Sequence, residues 1–459
     1  MVELGKLILE HCPSLSVTIL ITPPPLNTGS TGPYMNRISS TTPSITFHHL
    51  PAISISHDSI SSPHHEALIV EVVRRNNPNV YKALLSISKI STIQAFIVDM
   101  FCTTSLDVAA SFNLPIYHFY TSGAAALCVM LYFPTMHKNT TESFKELGST
   151  LLDFPGVPSI PACDMVKPIL DRNDDAYHDF LDLFSRMSKS NGIIINTFES
   201  LEPRAVKALS SGLSIPDRPT PPIYCIGPVI AADDRTGGHG NKHECLTWLD
   251  SQPSRSVVFL CFGSLGLFSA AQLKEIAVGL ERSGLRFLWV VRNPLVEDKS
   301  WRHLAPPEPD LEALLPEGFL ERTKDRGFVV KLWAPQKEVL SQKAVGGFVT
   351  HCGWNSVLES VWAGVPMVAW PLYAEQRLNR IFMVEEMKIA LPMNELENGF
   401  VYAAEVEKRV RGLMESEEGK AVRARTIAMR DAAVAATTDD SGSSRVSFAQ
   451  MAESWKSAN

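Results

Sequence analysis

The sequence predicts an α/β protein made of two doubly wound domains. Three observations carry that reading. Short β-rich runs alternate with longer helical ones along the 459 residues. Many of those β-rich runs are apolar on both faces, as strands are in a parallel sheet covered by helices. The alternation is interrupted once, by a stretch rich in proline and glycine, and then resumes. The length agrees, since roughly 100–200 residues per domain favours about two to four domains.

The elements follow in order. Met1 to Glu10 has the spacing of an amphipathic helix and lacks the cationic leader and apolar core of a signal peptide. Ser16–Ile21, Ala95–Val98 (ending at Asp99), Pro115–Tyr120 and Gly192–Asn196 read as strands. Pro115 to Pro134 is the longest apolar run, and a buried strand, turn and helix accounts for it better than a membrane span. From about Ile215 to His243 the chain carries five prolines and Gly237-Gly238, and reads as an exposed interdomain linker. Strands then recur at Ser256–Phe262, Arg286–Val291, Gly327–Val330, Gly347–Thr350 and Pro366–Trp370. Ala404–Met414 and Ser444–Trp455 read as closing helices. The domains expected are 1–228, a linker at 229–245, 246–440, and a C-terminal helix at 441–459 that packs back on the first domain.

Composition narrows the class. Hydrophobic residues are 45% and charged residues 20%, which excludes a disordered or coiled-coil chain. The net charge of −7 offers no basic excess for nucleic acid. None of the eight cysteines has CxxC spacing, and they read as reduced core thiols of a cytoplasmic protein. Asn139-Thr140-Thr141 matches a glycosylation acceptor and reads as a chance match.

The densest polar cluster is Thr350-His351-Cys352-Gly353-Trp354-Asn355-Ser356, between a strand and a helix. Ligands of open α/β sheets bind at that edge. A helix N-terminus there, with donors from Asn355, Ser356 and a His351 that can be cationic, suits a phosphate or diphosphate. Helix capping by Asn355 or Ser356 explains the pattern equally well. Glu359 shares the helix face of Asn355 and Ser356, which suits a sugar diol or a simple helix acid. Trp333 ends a strand beside Ala334-Pro335-Gln336, as a flat platform or as core. Glu375-Gln376 follows another strand, as a reader of hydroxyls or as a solvated helix start. Gly263-Ser264 is not part of a GxGxxG run, and no P-loop, HExxH or GxSxG is present.

The block from Trp333 to Gln376, with its WAPQ start, HCGWNS core and EQ end, closely resembles the donor-binding signature of plant secondary-product UDP-glycosyltransferases. VDMFC at 98–102, FESLE at 198–202 and VVFLCFGSLG at 257–266 resemble the flavonoid and anthocyanidin glucosyltransferase branch of family 1. The resemblance implies a GT-B fold, two Rossmann-like domains facing across a cleft. It implies that Trp333 stacks on uracil and Ala334 bonds it through backbone. It gives Gln336 and Glu359 the ribose hydroxyls, and His351, Asn355, Ser356 and Ser264 the diphosphate beside Gly353. Trp354, Glu375 and Gln376 then address the sugar, and Gln376 points to UDP-glucose. The expected reaction is an inverting transfer of glucose to a phenolic hydroxyl by a monomer with no cofactor. No metal is implied, since His351 and the helix N-terminus neutralise the diphosphate.

Family members use a histidine base in a loop just before the helix that starts at Met1. The resemblance therefore implies that this chain lacks that loop and the strand before it, leaving two unpaired sheet edges. Asp99 is the expected partner of that histidine, and a helix-capping role is its alternative. The acceptor pocket is expected around Phe119, Tyr120, Tyr132 and Phe133, with the loop near Pro155–Val166; some of these aromatics pack the core instead. His48, His49, His64 and His65 are expected to face solvent, and His118 to lie in a core strand. Two alternatives stand beside an active transferase: a catalytically impaired isoform that still binds UDP-sugar, and a non-enzymatic binder of hydrophobic metabolites.

Overall fold

A computed structural model of the chain describes residues 1–23, 31–55, 61–231, 242–294 and 307–456. The chain divides into two compact units, Met1–Ala232 with Ala435–Asn459, and Asp233–Val434. The second unit thus ends at Val434, earlier than the 440 expected from sequence. Most of the expected 229–245 linker lies outside the described residues.

The first unit contains β1 (Val17–Ile21), β2 (Ile45–His49), β3 (Phe96–Asp99), β4 (Ile116–Tyr120), β5 (Leu151–Leu152), β6 (Ile160–Pro161), β7 (Gly192–Ile195) and β8 (Ile223–Cys225). Four of them form a parallel sheet in the order β3-β4-β7-β8, and β1 and β2 form a separate parallel pair. Among the described residues, β1 has no ladder partner besides β2, and β3 none besides β4. Side chains still link the two sheets. Leu20 of β1 and Phe96 of β3 pack on one cluster with Leu50, Val80 and Leu84, and Val17 and Ile97 share another with Leu4 and Ile8.

The proline-rich segment is not all linker. Ile223–Cys225 is a sheet strand, with Tyr224 and Cys225 buried. Pro221 and Pro222 stop just before it and Pro228 follows it, so a three-residue edge strand fits between them. The helix Ser443–Lys456 lies on β8, where Phe448, Met451 and Trp455 join Tyr117, Phe119 and Ile194 in one core. Tyr117 Oη and Ser454 Oγ share a hydrogen bond of 2.8 Å there.

The apolar run at 115–134 is β4, a turn, and the helix Ala124–Asn139. Among the described residues no helix is long and apolar enough to cross a membrane. This helix starts at Gly123, which has no side chain to cap it. Glu202 does the work from a distance, accepting from the Ala124 and Ala125 N–H groups at 2.9 Å each and from the Thr197 hydroxyl. A buried carboxylate is tolerated because a helix N-terminus and three donors surround it. Burial nonetheless raises its pKa above the ordinary carboxylate value.

The second unit contains β9 (Val257–Cys261), β10 (Arg286–Val291), β11 (Gly327–Lys331), β12 (Val345–Thr350), β13 (Met367–Ala369) and β14 (Ala390–Pro392). They form one parallel sheet in the order β11-β10-β9-β12-β13-β14. The order reverses between β9 and β12, and the crevice at such a switch point is where this architecture receives ligands. Phe259 and Phe348 stack across that pair with centroids 5.2 Å apart, and Trp289 and Trp370 share one core cluster with Leu260 and Val349.

Replacing Glu202 with Ala strands two N–H groups and a hydroxyl in the core. Chemical denaturation should show a loss of about 3 kcal/mol in the transition that includes the first unit. A loss below about 1 kcal/mol would remove Glu202 from the capping role.

Candidate functional site

The site residues of the second unit lie at the carboxyl ends of β9, β11, β12 and β13. Each turn there is tight. Leu332, Cys352 and Ala374 have φ of 64°, 65° and 52°, a left-handed backbone that non-glycine residues seldom adopt. Each immediately precedes a residue singled out from the sequence: Trp333, Gly353 and Glu375. Backbone strain of this kind gathers where a ligand is clamped. No residue pattern in the sequence announces it.

The turn after β12 is closely packed. His351 is 6% exposed. A methyl group placed on Gly263 would come within 2.6 Å of its Nε2, and one on Gly353 within 2.4 Å. The imidazole edge therefore fits only because both neighbours lack a Cβ. Gly263 also has a φ of 73°, so glycine is required there on two counts. The Tyr373 ring lies beside His351 with centroids 5.9 Å apart. Asn379 Nδ2 donates to the Cys352 carbonyl at 3.0 Å and holds the turn from below. Sequence reasoning missed Asn379. Its signal was the spacing of three from Gln376, one turn along the same helix face.

The helix Trp354–Ala363 begins at Gly353, which has no side chain to cap it. Asn355 and Ser356 sit inside its first turn and are not its N-cap, so the capping alternative does not hold. Asn355 is exposed, Ser356 buried, and Trp354 is 3% exposed, so its indole is enclosed by protein. Gln336 Nε2 donates to Ser356 Oγ at 2.9 Å and to Glu359 Oε2 at 2.7 Å. Three residues from two separate motifs thus converge on one helix face. Trp333 is 41% exposed and Ala334 is buried, which leaves the indole as a flat platform at the sheet edge. Ser264 is exposed on the turn after β9. Gln376 is 2% exposed, and its Oε1 accepts from the Leu372 and Tyr373 N–H groups at 2.9 Å each. Glu375 stands next to it, half-buried, and accepts from Asn379 at 3.3 Å.

Residues 225–419 match the family model described as UDP-glucoronosyl and UDP-glucosyl transferase. The chain is 49% identical to an anthocyanidin 5,3-O-glucosyltransferase from a Rosa hybrid cultivar, over 99% of this chain and 96% of that one. The chain belongs to the UDP-glycosyltransferase family. It is also 51% identical to a phloretin 2'-O-glucosyltransferase of Pyrus communis, over 97% of this chain and 94% of that one. A structure of Phytolacca americana UGT2 complexed with UDP-2fluoro-glucose and pterostilbene superposes with a TM-score of 0.87 at 36% identity, over 99% and 96% of the two chains. The fold class is GT-B, as in these structural relatives.

In this glycosyltransferase His351 is not the cation that its place beside a helix N-terminus suggested. Burial lowers its pKa from 6.5 to about 4, so at neutral pH the imidazole is uncharged. In the first unit, Asp99 ends β3 half-buried, and its Oδ1 accepts from the Phe101 N–H at 2.8 Å and the Cys102 N–H at 3.2 Å. Helix capping is therefore a real part of its role. Among the described residues no histidine bonds to it. His118 lies on β4, fully buried, with its Nε2 on Thr103 Oγ1 at 3.1 Å. His48 and His49 face outward from β2.

The expected acceptor aromatics divide. Phe133 is 0% exposed and packs edge-on against Tyr177 at 5.0 Å, so it belongs to the core. Phe119 packs in the core with Leu4 and Met451, and Tyr120 is 3% exposed. Tyr132 remains half-buried, with Phe154 at 6.0 Å. Cys163 is exposed, unlike the buried Cys128, Cys225, Cys245, Cys261 and Cys352, and all eight thiols are free. Among the described residues no group of three or more His, Cys, Asp or Glu side chains is placed to hold a metal.

His118 and His351 both fall from 6.5 to about 4 through burial. The unfolded chain binds their protons first, so their stabilising effect is complete above about pH 6.5 and is lost as pH falls toward 4. At that limit each costs about 3 kcal/mol. Melting curves from pH 7.5 to 4.5 should show this decline, and His118→Gln should make it shallower. An unchanged slope in that variant would mean that His118 does not titrate as a buried neutral ring.

Proposed function

We propose that this chain transfers glucose from UDP-glucose to a phenolic hydroxyl, with inversion at the anomeric carbon. The observation that carries the donor half is the convergence of Gln336, Ser356 and Glu359 beside the helix start at Gly353. A carboxylate and an amide side by side suit a ribose diol, and a helix N-terminus suits a diphosphate. Trp333 gives uracil a face to stack on, and the Ala334 backbone borders it. His351, uncharged, donates one N–H to a phosphate oxygen; Ser264 and Asn355 donate from the two turns beside it. Glu375 and Gln376 read the sugar hydroxyls with the Trp354 backbone. The relatives named for anthocyanidin and phloretin glucosylation support a phenolic acceptor. Tyr132, half-buried where Phe119, Tyr120 and Phe133 are buried, is the expected aromatic with surface left to border it.

In the transfer, the acceptor oxygen forms a bond to the anomeric carbon as the bond from that carbon to the diphosphate oxygen breaks. UDP leaves with the electron pair, and the acceptor proton passes to a general base. We assign Asp99 to orienting and charge-balancing that base, as the carboxylate does in a histidine–aspartate pair. Free thiols support a cytoplasmic setting.

The test supplies UDP-glucose and a panel of flavonoids to folded protein and identifies glucosides by mass spectrometry, with proton NMR reading the anomeric configuration. β-Linked glucosides are expected. UDP binding without any glucoside would sink the transfer reading and leave a sugar-nucleotide binder. In Asp99→Asn the amide oxygen still caps the helix, so the melting point should hold while kcat drops about 100-fold or more. An unchanged kcat would leave Asp99 a cap alone.

Glu359→Ala should weaken UDP binding about 10-fold or more in calorimetric titration, the size of a lost hydrogen bond to a charged group. Undiminished affinity would take Glu359 out of the ribose site.

A further inference from the structure

His351 is uncharged in the ligand-free chain, so no residue assigned above brings a formal positive charge to the donor site before the diphosphate arrives. The helix start supplies only about half an elementary charge. Arg377 and Arg380 are ion-paired to Glu395. Arg292 is different. It follows the last residue of β10, next to β9 in the sheet, at the same carboxyl edge as Gly263 and His351. It is half-buried, its Nη1 reaches toward the Gly263 carbonyl at 3.4 Å, and its buried Nε has no hydrogen-bond partner. Among the described residues no carboxylate pairs with it. The charged or polar groups that act on it are the Cys261 thiol and the Tyr373 phenol, both neutral at pH 7, and burial lowers its pKa. A guanidinium stays protonated even so.

A half-buried guanidinium with no carboxylate partner and an unsatisfied Nε is a disfavoured arrangement that an anion would relieve. We propose that Arg292 is the positioning cation of the donor site: it anchors the 263–266 turn through the Gly263 carbonyl and places a full positive charge behind the diphosphate. The inference rests on the donor reading above. Tyr373 supports it from the other side, since its hydroxyl bonds the Leu265 backbone and its ring lies along His351. The turn is thereby held at Gly263 by one residue and at Leu265 by the other, with the imidazole between the two glycines.

The experiment compares UDP with uridine on the intact chain, using calorimetry for UDP and displacement for uridine. Arg292→Met keeps the aliphatic stem and removes the charge. It should weaken UDP about 10- to 100-fold and uridine less than about 3-fold, and should raise KM for UDP-glucose more than it lowers kcat. Arg292→Lys restores charge without the planar fork and should recover most of the UDP affinity. Equal losses for UDP and uridine would mean a purely structural role for the turn, and would overturn the proposal. So would undiminished UDP affinity in Arg292→Met. If Arg292→Met does not fold, Arg292→Lys decides alone: a preference for UDP over uridine kept within about 5-fold supports the charge, and its collapse overturns it. Failure of the unsubstituted protein to bind UDP at all would instead sink the donor reading itself.

Discussion

One imidazole with no room around it organises the second unit. His351 occupies the space that side chains at Gly263 and Gly353 would need, so the turns after β9 and β12 close on a ring and not on each other. Those two turns flank the reversal of strand order, where the sheet opens a crevice at its carboxyl edge. The left-handed backbone at Cys352 follows from the same crowding. The chain must leave β12, pass around the ring and start a helix within three residues, and Asn379 fixes the carbonyl exposed by that path. The strain is offset by a sheet whose central strands are fully buried.

Crowding also decides the chemistry of the ring. Exposed at a helix N-terminus, a histidine beside a phosphate would gain a proton. Buried with an unpartnered Nδ1, it loses one instead. In the proposed donor site the ring is a neutral hydrogen-bond donor, and a lasting positive charge is better supplied by a residue that keeps its proton. Arginine meets that requirement where lysine, whose pKa falls readily on burial, meets it less well.

Much of this was legible from sequence. Strands at 17–21, 96–99, 116–120, 192–195 and 286–291 are apolar on both faces, and periodicity finds them. The Trp333–Gln376 block marked the candidate site because its polar residues interrupt that pattern at strand ends. What failed shares a physical cause: the deciding partner is distant in the chain. Ile223–Cys225 looked like linker because prolines surround it, and only β7 and the helix Ser443–Lys456 make it a strand. Phe133 looked like an acceptor wall until Tyr177 and Phe144 closed over it. Glu202 resembled a motif letter, and its purpose is to cap a helix whose own N-cap is glycine. A charge state is further still from sequence, since it depends on how many neighbours exclude water.

The two units also differ in how their sheets are tied together. The second is one continuous ladder of six parallel strands. In the first, among the described residues, β1–β2 and β3–β4–β7–β8 are separate ladders, and side chains such as Leu20 and Phe96 meet on a shared cluster. Side-chain packing resists separation but not sliding, whereas a ladder fixes register residue by residue. Among the described residues β1 and β3 each have one edge outside any ladder, with backbone groups that prefer a partner. Asp99 lies at the end of one of those edges. Its Oδ1 bonds to Phe101 and Cys102 anchor it to the helical turn that follows, so the carboxylate keeps its direction from local structure even where the sheet beside it lacks a ladder. Capping and the proposed pairing with a base are compatible demands on this residue, since the cap bonds engage Oδ1 alone.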